Sequence, residues 1–357
     1  MNTSVSQFDR HEPAPRVSVI IPTYNGERFL REAIESACVQ TLPPVEIIVV
    51  DDCSTDGSFE LAQSLAPHAP VPLRAIRLSA NSGGPARPIN VGIGQARGEL
   101  ISVLDQDDVL APDHLATKAP ILAARPDVSV AISWCGIHGD PSGQPKQKPG
   151  VRDAILRGSA AVDDYHLASG TSVLALNIRW GMLLVGYPAL LFRRSDWLRK
   201  GGADERLRIA SDFDLLGWLL LQGDCAVIPR VGYFRREHDA NVCHRRADMY
   251  VESATVRLRL LRQSRKLRRN RRVQSDLRQD LFRMAHGFEQ SACYTHAAKI
   301  YALAWQLGRR RTRSALSLAR LPALRLYDWL TGRRPEPSHY TVATIPSRPS
   351  RLATGRT

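Results

Sequence analysis

Over its first hundred or so residues the chain alternates short apolar runs with stretches whose apolar residues recur every three or four positions. The runs Val17–Ile21, Val45–Val50 and Leu100–Leu104 are mostly apolar, the first rich in β-branched residues, and Leu73–Leu78 reads as a further strand. That pattern predicts strands buried on both faces, as in a parallel sheet. Between them, Glu27–Val39 places Phe29, Leu30, Ala33, Ile34, Ala37 and Cys38 on one helical face and leaves Arg31, Glu32 and Glu35 for solvent. Ser58–Leu65 and Pro85–Ala96 read as further helices, the second despite Pro88. Strand alternating with helix predicts parallel strands joined by right-handed crossovers.

The alternation then loosens. Pro112 suits the first turn of a helix running to Ala124, and Val128–Trp134 reads as a strand. Gly139–Gly150, rich in Pro, Gly and Lys, predicts a surface loop or hairpin, and the region from Cys135 to Trp180 shows no interpretable period. Ala189–Phe192 predicts a short strand, Ser195–Lys200 a helix start and Ser211–Leu221 an apolar helix. Cys225–Pro229 and Val231–Arg235 follow as extended segments. From Asp248 to about Leu330 the pattern is helical and dense in arginine, and the Pro-, Ser- and Thr-rich residues after Arg333 predict disorder. The expected organisation is a flexible arm at 1–15, an α/β domain at 16–241 divided near 125, a basic helical region at 242–333 and a tail at 334–357.

Composition changes this picture little. A chain of 357 residues with 43% hydrophobic content has room for a large α/β domain and an appendage. Six scattered cysteines without CxxC spacing suggest reduced thiols, and Cys243-His244 near His238 lacks the second pair a zinc site needs. The N-terminus does not read as a secretory signal, and no stretch reaches the roughly 20 apolar residues of a membrane span. The expected location is therefore cytoplasmic. The net charge of +14 is uneven, with arginines crowding the segment from Cys243 onward.

The chemistry lies at the strand ends. Asp51 and Asp52 follow one predicted strand, Asp105, Asp107 and Asp108 another, and Asp212 opens a later helix. In open α/β sheets ligands bind at the carboxyl ends of strands, and clustered oxygen ligands suit Mg²⁺ or Mn²⁺ with a phosphate-bearing substrate. Three segments carry these acids in series: VSVIIPTYN (Val17–Asn25), IIVVDDCSTDGS (Ile47–Ser58) and NSGGPARPINVGIGQARGELISVLDQDD (Asn81–Asp108). In order and spacing they resemble the nucleotide-binding half of family-2 glycosyltransferases. That resemblance implies a GT-A-like, mostly parallel sheet flanked by helices, here with a C-terminal basic helical appendage, and inverting, metal-dependent transfer from a sugar nucleotide.

Residue by residue, the resemblance implies a wall for the base from Pro22, Thr23 and Tyr24, with Asp52 accepting the imide N–H of uracil. Asp51 reads either way, and Asp56-Gly57 as turn formers. Asn81 and Gly83 open a loop before a helix, where free N–H groups face an anion. Arg87 and Asn90 join the donor site, although the family places its arginine immediately before the asparagine and here Pro88 and Ile89 intervene. Asp105-Gln106-Asp107 fits the DxD element, with Asp107 and Asp105 toward Mn²⁺ or Mg²⁺, Asp105 also toward the donor, and His238 near the metal or diphosphate. Asp212 falls where the family has its catalytic base, although the glutamate preceding that base is Ser211 here. Taken locally, Ser211 and Asp214 read as a capping box.

The implied reaction moves a hexosyl or N-acetylhexosaminyl group from a nucleoside diphosphate sugar, UDP-linked by resemblance, to an acceptor hydroxyl on a cell-surface or lipid-linked glycan. The alternative is a non-catalytic module binding a nucleotide sugar or a membrane partner; a nucleotidyltransferase would need a glycine-rich, lysine-bearing loop that is missing after the first strand. The stretch Arg257–Arg272 reads either as a solvated helical face or as a surface for an anionic membrane, which would be the inner face of the membrane. Nucleic acid is disfavoured, because no aromatic residues interleave the arginines.

Overall fold

The computed structural model describes residues 14–147, 149–181, 186–238, 246–291, 293–307, 317–322 and 324. The tail at 334–357, Cys243-His244 and all of the expected N-terminal arm except Ala14 and Pro15 lie outside these residues. The described chain forms two units. The first comprises residues up to Ser169 with Leu184–Ala203 and Gln222–Arg236, and the second comprises Gly170–Leu183, Asp204–Leu221 and the residues from Glu237 onward.

In chain order the first unit holds β1 (Val17–Thr23), α1 (Glu27–Cys38), β2 (Glu46–Asp51), α2 (Ser58–Leu65), β3 (Leu73–Arg77), α3 (Ala86–Gly94), β4 (Leu100–Val103), β5 (Val109–Leu110), α4 (Ala119–Ala124), β6 (Val128–Ile137), α5 (Pro149–Leu156), β7 (Ser159–Val162) and β8 (Tyr165–Ala168). After α6 (Gly170–Trp180), which belongs to the second unit, come β9 (Leu190–Arg193) and α7 (Arg194–Lys200). Then α8 (Ser211–Gln222) lies almost wholly in the second unit, and β10 (Asp224–Arg235) returns to the first. All strands share one sheet of order β3-β2-β1-β4-β9-β6-β10-β8-β7, with β5 pairing off β10. Strands β5, β8 and β9 run against the rest. This is the mostly parallel α/β sheet flanked by helices that the apolar runs imply.

Burial explains why those runs were uninterrupted. Every residue of β1, β2 and β4 is buried, so neither face of these strands can be polar unless the polar group is bonded. Ser18 meets that condition: its hydroxyl donates to Glu46 Oε1 at 2.8 Å and accepts from Gly98 N at 2.9 Å. Helix α3 packs closely because Gly92 has no side chain. A Cβ there would stand 2.5 Å from Ile20 Cγ2 and 3.1 Å from Val50 Cγ2.

Three departures from the expected elements have local causes. The two extended segments after residue 224 are one strand, β10, whose pairing with β6 shifts register between Ile228 and Val231, around Pro229, which has no N–H to donate. The helix expected from Pro112 begins only at Ala119, because residues 112–118 form turns that carry His114 and Lys118 into the core. The loop expected over Gly139–Gly150 gives way at Pro149 to α5, and the β7–β8 hairpin follows.

His114 and Lys118 are both fully buried. His114 Nδ1 donates to Gly232 O at 2.7 Å, which leaves Nε2 to accept from Lys118 Nζ at 3.2 Å, with Ser102 Oγ 3.4 Å away. Burial pushes the lysine well below its usual range; burial, then the neighbouring lysine, does the same to the histidine. Burial thus favours the neutral lysine more than the unfolded chain does, and Lys118 costs stability wherever the unfolded chain would carry its proton. The unfolded state binds more protons below about pH 10.4, so this cost is lifted as pH rises through that value. Lys118→Met should therefore raise stability at pH 7 by about 1–3 kcal/mol, the usual penalty of an incompletely satisfied buried group. The difference from wild type should shrink toward pH 10 in paired denaturant titrations; a pH-independent difference would mean that the lysine is not neutral in the core.

The second unit contains α6, α8, α9 (Arg246–Gln263), α10 (Arg265–Arg269), α11 (Arg271–Gln290) and α12 (Tyr294–Trp305). It therefore draws on the middle of the chain as well as on the expected basic region. Helix α11 lays Val273, Leu277, Leu281, Met284 and Phe288 in the interior, and α12 adds Ala297, Ile300, Tyr301 and Ala304. Among the described residues no helix is long and apolar enough to cross a membrane.

Candidate functional site

The order β3-β2-β1-β4 turns back at β1: β2 and β3 extend the sheet to one side and β4 lies on the other, all four parallel. Loops leaving the carboxyl ends of β1 and β4 therefore part at a topological switch point, where open sheets leave a crevice. Thr23 pairs in register with Asp51 of β2, so Tyr24 and Asp52 leave adjacent strands at the same level. The turn Asp105–Asp108 follows β4 directly.

The loops after β1 and β2 are stitched to each other. Asn25, at φ 48°, donates its N–H to Ser54 Oγ at 2.9 Å and accepts from Thr55 N at 2.8 Å through its side chain. Gly26 N donates to Ser58 Oγ at 2.8 Å, Glu27 N to Asp56 Oδ2 at 3.2 Å, and Gly57 N to Glu27 Oε2 at 3.0 Å. The free N–H groups that open α1 are thus satisfied by side chains of the next loop, not by a cap of their own. Asp56 does more than form a turn. The Tyr24 ring, 44% exposed, stands clear of this network as an open aromatic face.

Gln106, the middle residue of the Asp-Gln-Asp segment, spans the switch point. Its Oε1 accepts from Tyr24 N at 2.8 Å and its Nε2 donates to Tyr24 O at 3.1 Å, so one side chain binds both backbone groups of a residue on the other loop. Gly26 leaves the room: a Cβ there would fall 2.3 Å from Gln106 Oε1.

Asp105 and Asp107 are half-buried while Asp108 is nearly enclosed. Burial first, then the Asp105 and Asp107 carboxylates, push the Asp108 carboxyl well above the usual range. Asp108 does not cap a following helix; its Oδ1 accepts from Arg236 N at 3.1 Å, and Arg236 Nε donates to Asp107 O at 3.3 Å. The same guanidinium reaches Glu32 and lies 4.8 Å from the centre of the Phe29 ring. Behind the turn, a Cβ on Gly186 (φ 76°) would stand 3.5 Å from Asp105 Oδ2 and 3.7 Å from the buried Tyr233 hydroxyl. Oxygen donors here suit a hard cation. Among the described residues no three His, Cys, Asp or Glu side chains gather as a ready-made metal cage, so further ligands would come from a diphosphate or water.

Asp52 is almost fully buried, and its carboxylate accepts from Ser82 N at 2.9 Å and Ser82 Oγ at 2.8 Å. Asn81 closes the same corner: its Nδ2 donates to Asp52 O at 3.2 Å and its Oδ1 accepts from Gly83 N at 2.9 Å, with Gly83 at φ 81°. The Gly83 N–H is thereby occupied locally. Pro22 and Thr23 are buried at the end of β1, and Arg87 is exposed on the first turn of α3. Asn90 clamps a distant backbone, donating to Ala203 O at 3.0 Å and accepting from Ala203 N at 2.8 Å. A Cβ on Gly202 would strike the Asn90 Oδ1 at 2.6 Å.

Asp212 and His238 belong to the second unit. Asp212 lies in the first turn of α8, 8% exposed, where the helix dipole favours an anion. The capping box expected there does not form. Ser211 Oγ has no partner among the described residues, and Asp214 bonds Arg259 of α9 at 2.6 Å. Glu252 of α9 takes over, accepting from the N–H groups of Arg208, Ile209 and Ala210 at 3.1, 2.9 and 2.9 Å. Nothing in the local sequence pattern signals that contact. His238 is half-buried and follows Arg236 by two residues.

Residues 18–175 match the model of the family described as glycosyl transferase family 2. The poly(ribitol-phosphate) beta-N-acetylglucosaminyltransferase TarS of Staphylococcus aureus is 34% identical over 126 residues, covering 35% of this chain and 22% of that protein. The succinoglycan biosynthesis protein ExoO of Rhizobium meliloti is 30% identical over 246 residues, 65% of this chain and 63% of that one. The chain thus matches only about a fifth of the length of TarS. Among solved structures, TarS 1–349 in complex with UDP-GlcNAc aligns with a TM-score of 0.62 at 20% identity, covering 89% of this chain and 90% of that one. The mannosyltransferase PcManGT from Pyrobaculum calidifontis, in complex with GDP-Man and Mn²⁺, gives 0.51 at 21% identity, covering 90% and 84%. These structures share the fold.

If Gln106 is the strut between the two loops, Gly26→Ala should act by displacing it. The amide is the movable end of a side chain, so each single variant, Gly26→Ala and Gln106→Ala, should fold and lose about 1–2 kcal/mol for the two hydrogen bonds. In the double variant the second change should add almost nothing, a non-additivity readable in urea titrations. Fully additive losses would show that Gly26 and Gln106 act independently.

Proposed function

We propose that this chain transfers a sugar from a nucleoside diphosphate donor to a hydroxyl of a cell-surface or lipid-linked glycan, with inversion; the match of residues 18–175 to the glycosyl transferase family 2 model and the fold shared with TarS support this reading. The observation that carries the reading is the switch point between β1 and β4, where the Gln106 strut ties the Asp105–Asp107 turn to the loop presenting the Tyr24 ring. An aromatic face beside a pair of half-exposed carboxylates offers one surface for a flat base and another for the sugar diphosphate end. TarS has been captured with UDP and with UDP-GlcNAc, which supports UDP as the nucleotide and a hexosyl or N-acetylhexosaminyl group as cargo.

In this reading Pro22, Thr23 and Tyr24 wall the base, and Asp52, held in place by Ser82, accepts the uracil imide N–H. Asn81 and Gly83 shape the corner beside it, and Arg87 supplies positive charge to the phosphates. Asn90 contributes by fixing Ala203. Asp107 and Asp105, with His238, would hold Mn²⁺ or Mg²⁺; when bound, such a cation offsets charge on the departing diphosphate as a Lewis acid. Asp212 accepts the proton of the acceptor hydroxyl while its oxygen bonds to the anomeric carbon. The bond from that carbon to the diphosphate oxygen breaks on the opposite face, and the nucleoside diphosphate leaves with the electron pair. A positioned base contributes about 10²- to 10⁴-fold. A lipid-linked acceptor would be met at the inner face of the membrane, so contact with an anionic membrane surface is part of the same reading.

Two variants test it. Asp212→Asn should lower kcat by at least about 10²-fold while the donor KM stays within a few-fold. Asp107→Ala, or chelation of wild type, should weaken donor binding itself, measured as protection against thermal unfolding by UDP-sugar. Equal loss of donor binding and turnover in Asp212→Asn would remove that residue as the base.

A further inference from the structure

Two groups of basic residues in the second unit differ sharply in their surroundings. One is turned inward. Arg257, 1% exposed, donates to Ile178 O at 2.7 Å and pairs with Asp280 at 2.8 Å, and Arg259 bonds Asp204 at 3.0 Å and Asp214 at 2.6 Å. Arg179 pairs with Asp276 at 2.7 Å. These side chains hold the helices together and cannot face a partner. The other population occupies the turn from the end of α9 through α10 into α11. Arg262, Arg265, Lys266 and the four arginines at 268, 269, 271 and 272 are all exposed, and no acidic residue occurs between Arg257 and Ser275. None of these cations pairs with a carboxylate among the described residues.

The turn is built, not loose. Ser264 Oγ accepts from Leu267 N at 3.3 Å, Asn270 Oδ1 accepts from Arg272 N at 3.1 Å and Val273 N at 3.2 Å, and Leu261, Leu267 and Val273 are buried beneath it. The charges themselves work against the fold. Arg271 and Arg272 stand in the first turn of the 20-residue helix α11, where the dipole disfavours cations, and seven like charges repel within eleven residues. A rigid, acid-free cationic surface that its own helix penalises is relieved by an anionic partner. The second observation lies beside it. Gln306 accepts from the Arg262 guanidinium, and its neighbour Trp305, at the end of α12, is 44% exposed. An exposed indole one residue from a side chain that bonds this cationic turn is the kind of group that settles at headgroup depth in a bilayer. No aromatic residue stands between the cations, so the surface lacks the stacking platform of a single-strand binder.

We infer that the α9–α10–α11 turn is a docking surface for an anionic lipid bilayer, its cations against the headgroups and Trp305 at the interface. The inference rests on the proposed membrane contact and assigns it to particular residues. It is tested with the full chain and vesicles of phosphatidylcholine with or without phosphatidylglycerol, at physiological salt. The wild type should sediment with the anionic vesicles only. Neutralising Arg265, Lys266, Arg268 and Arg269 to glutamine together should weaken binding by about fivefold per charge, hence several-hundred-fold for the set, and Trp305→Ala by about tenfold. Unchanged thermal unfolding and unchanged UDP binding in the same preparations separate this result from misfolding and from the donor site. Retained vesicle binding in the quadruple variant would overturn the assignment to this turn, and no vesicle binding by wild type would overturn the membrane contact altogether. Tighter binding to RNA than to anionic vesicles would overturn the choice of a lipid partner.

Discussion

Carboxylates gathered where parallel strands end repel one another, and the arrangement of the first unit follows from how that repulsion is contained. Asp51 is enclosed and answered by Ser54 N and by Arg77 at 3.5 Å, Asp52 by Ser82, and Asp108 by Arg236 N, while the residual strain appears in the raised protonation range of Asp108. The two acids left partly open, Asp105 and Asp107, lie on the turn that Gln106 ties to Tyr24. The two acids that stay half-exposed thus share one turn at the β1–β4 switch point, and in the proposed reading a divalent cation carrying a diphosphate is their complement.

Much of this was legible because β1, β2 and β4 are buried on both faces, which turns them into uninterrupted apolar runs whose ends mark the acids. Helix α2 likewise matches its expected span from Ser58 to Leu65. What escaped notice depends on contacts distant in sequence. Gln106 meets Tyr24 across 82 positions and Glu252 meets residues 208–210 across more than 40, and neither leaves a local trace. The Ser211–Asp214 pattern imitates a capping box, yet the acid pairs with an arginine from another helix. The residues of α6 and of the β7–β8 hairpin carry too few large apolar side chains at a fixed period to announce themselves.

Arginine was the most ambiguous residue type. In Arg257–Arg272 the buried Arg257 and the exposed Arg272 look alike in sequence, and only Asp280, Asp204 and Asp214 decide which guanidinium groups turn inward. A charge count therefore overstates the surface available to a partner, since Arg257 and its ion pair with Asp280 are spent on joining helices.

The central claim, that the crevice between β1 and β4 receives a nucleoside diphosphate, is tested most directly by titration calorimetry of the wild-type protein with UDP, GDP, CDP and ADP, each with Mn²⁺ and again with chelator. The account expects UDP to bind in preference to the other three and the binding to fall sharply without the metal. Binding of none of the four with Mn²⁺ present, or equal binding of all with and without it, would contradict the account.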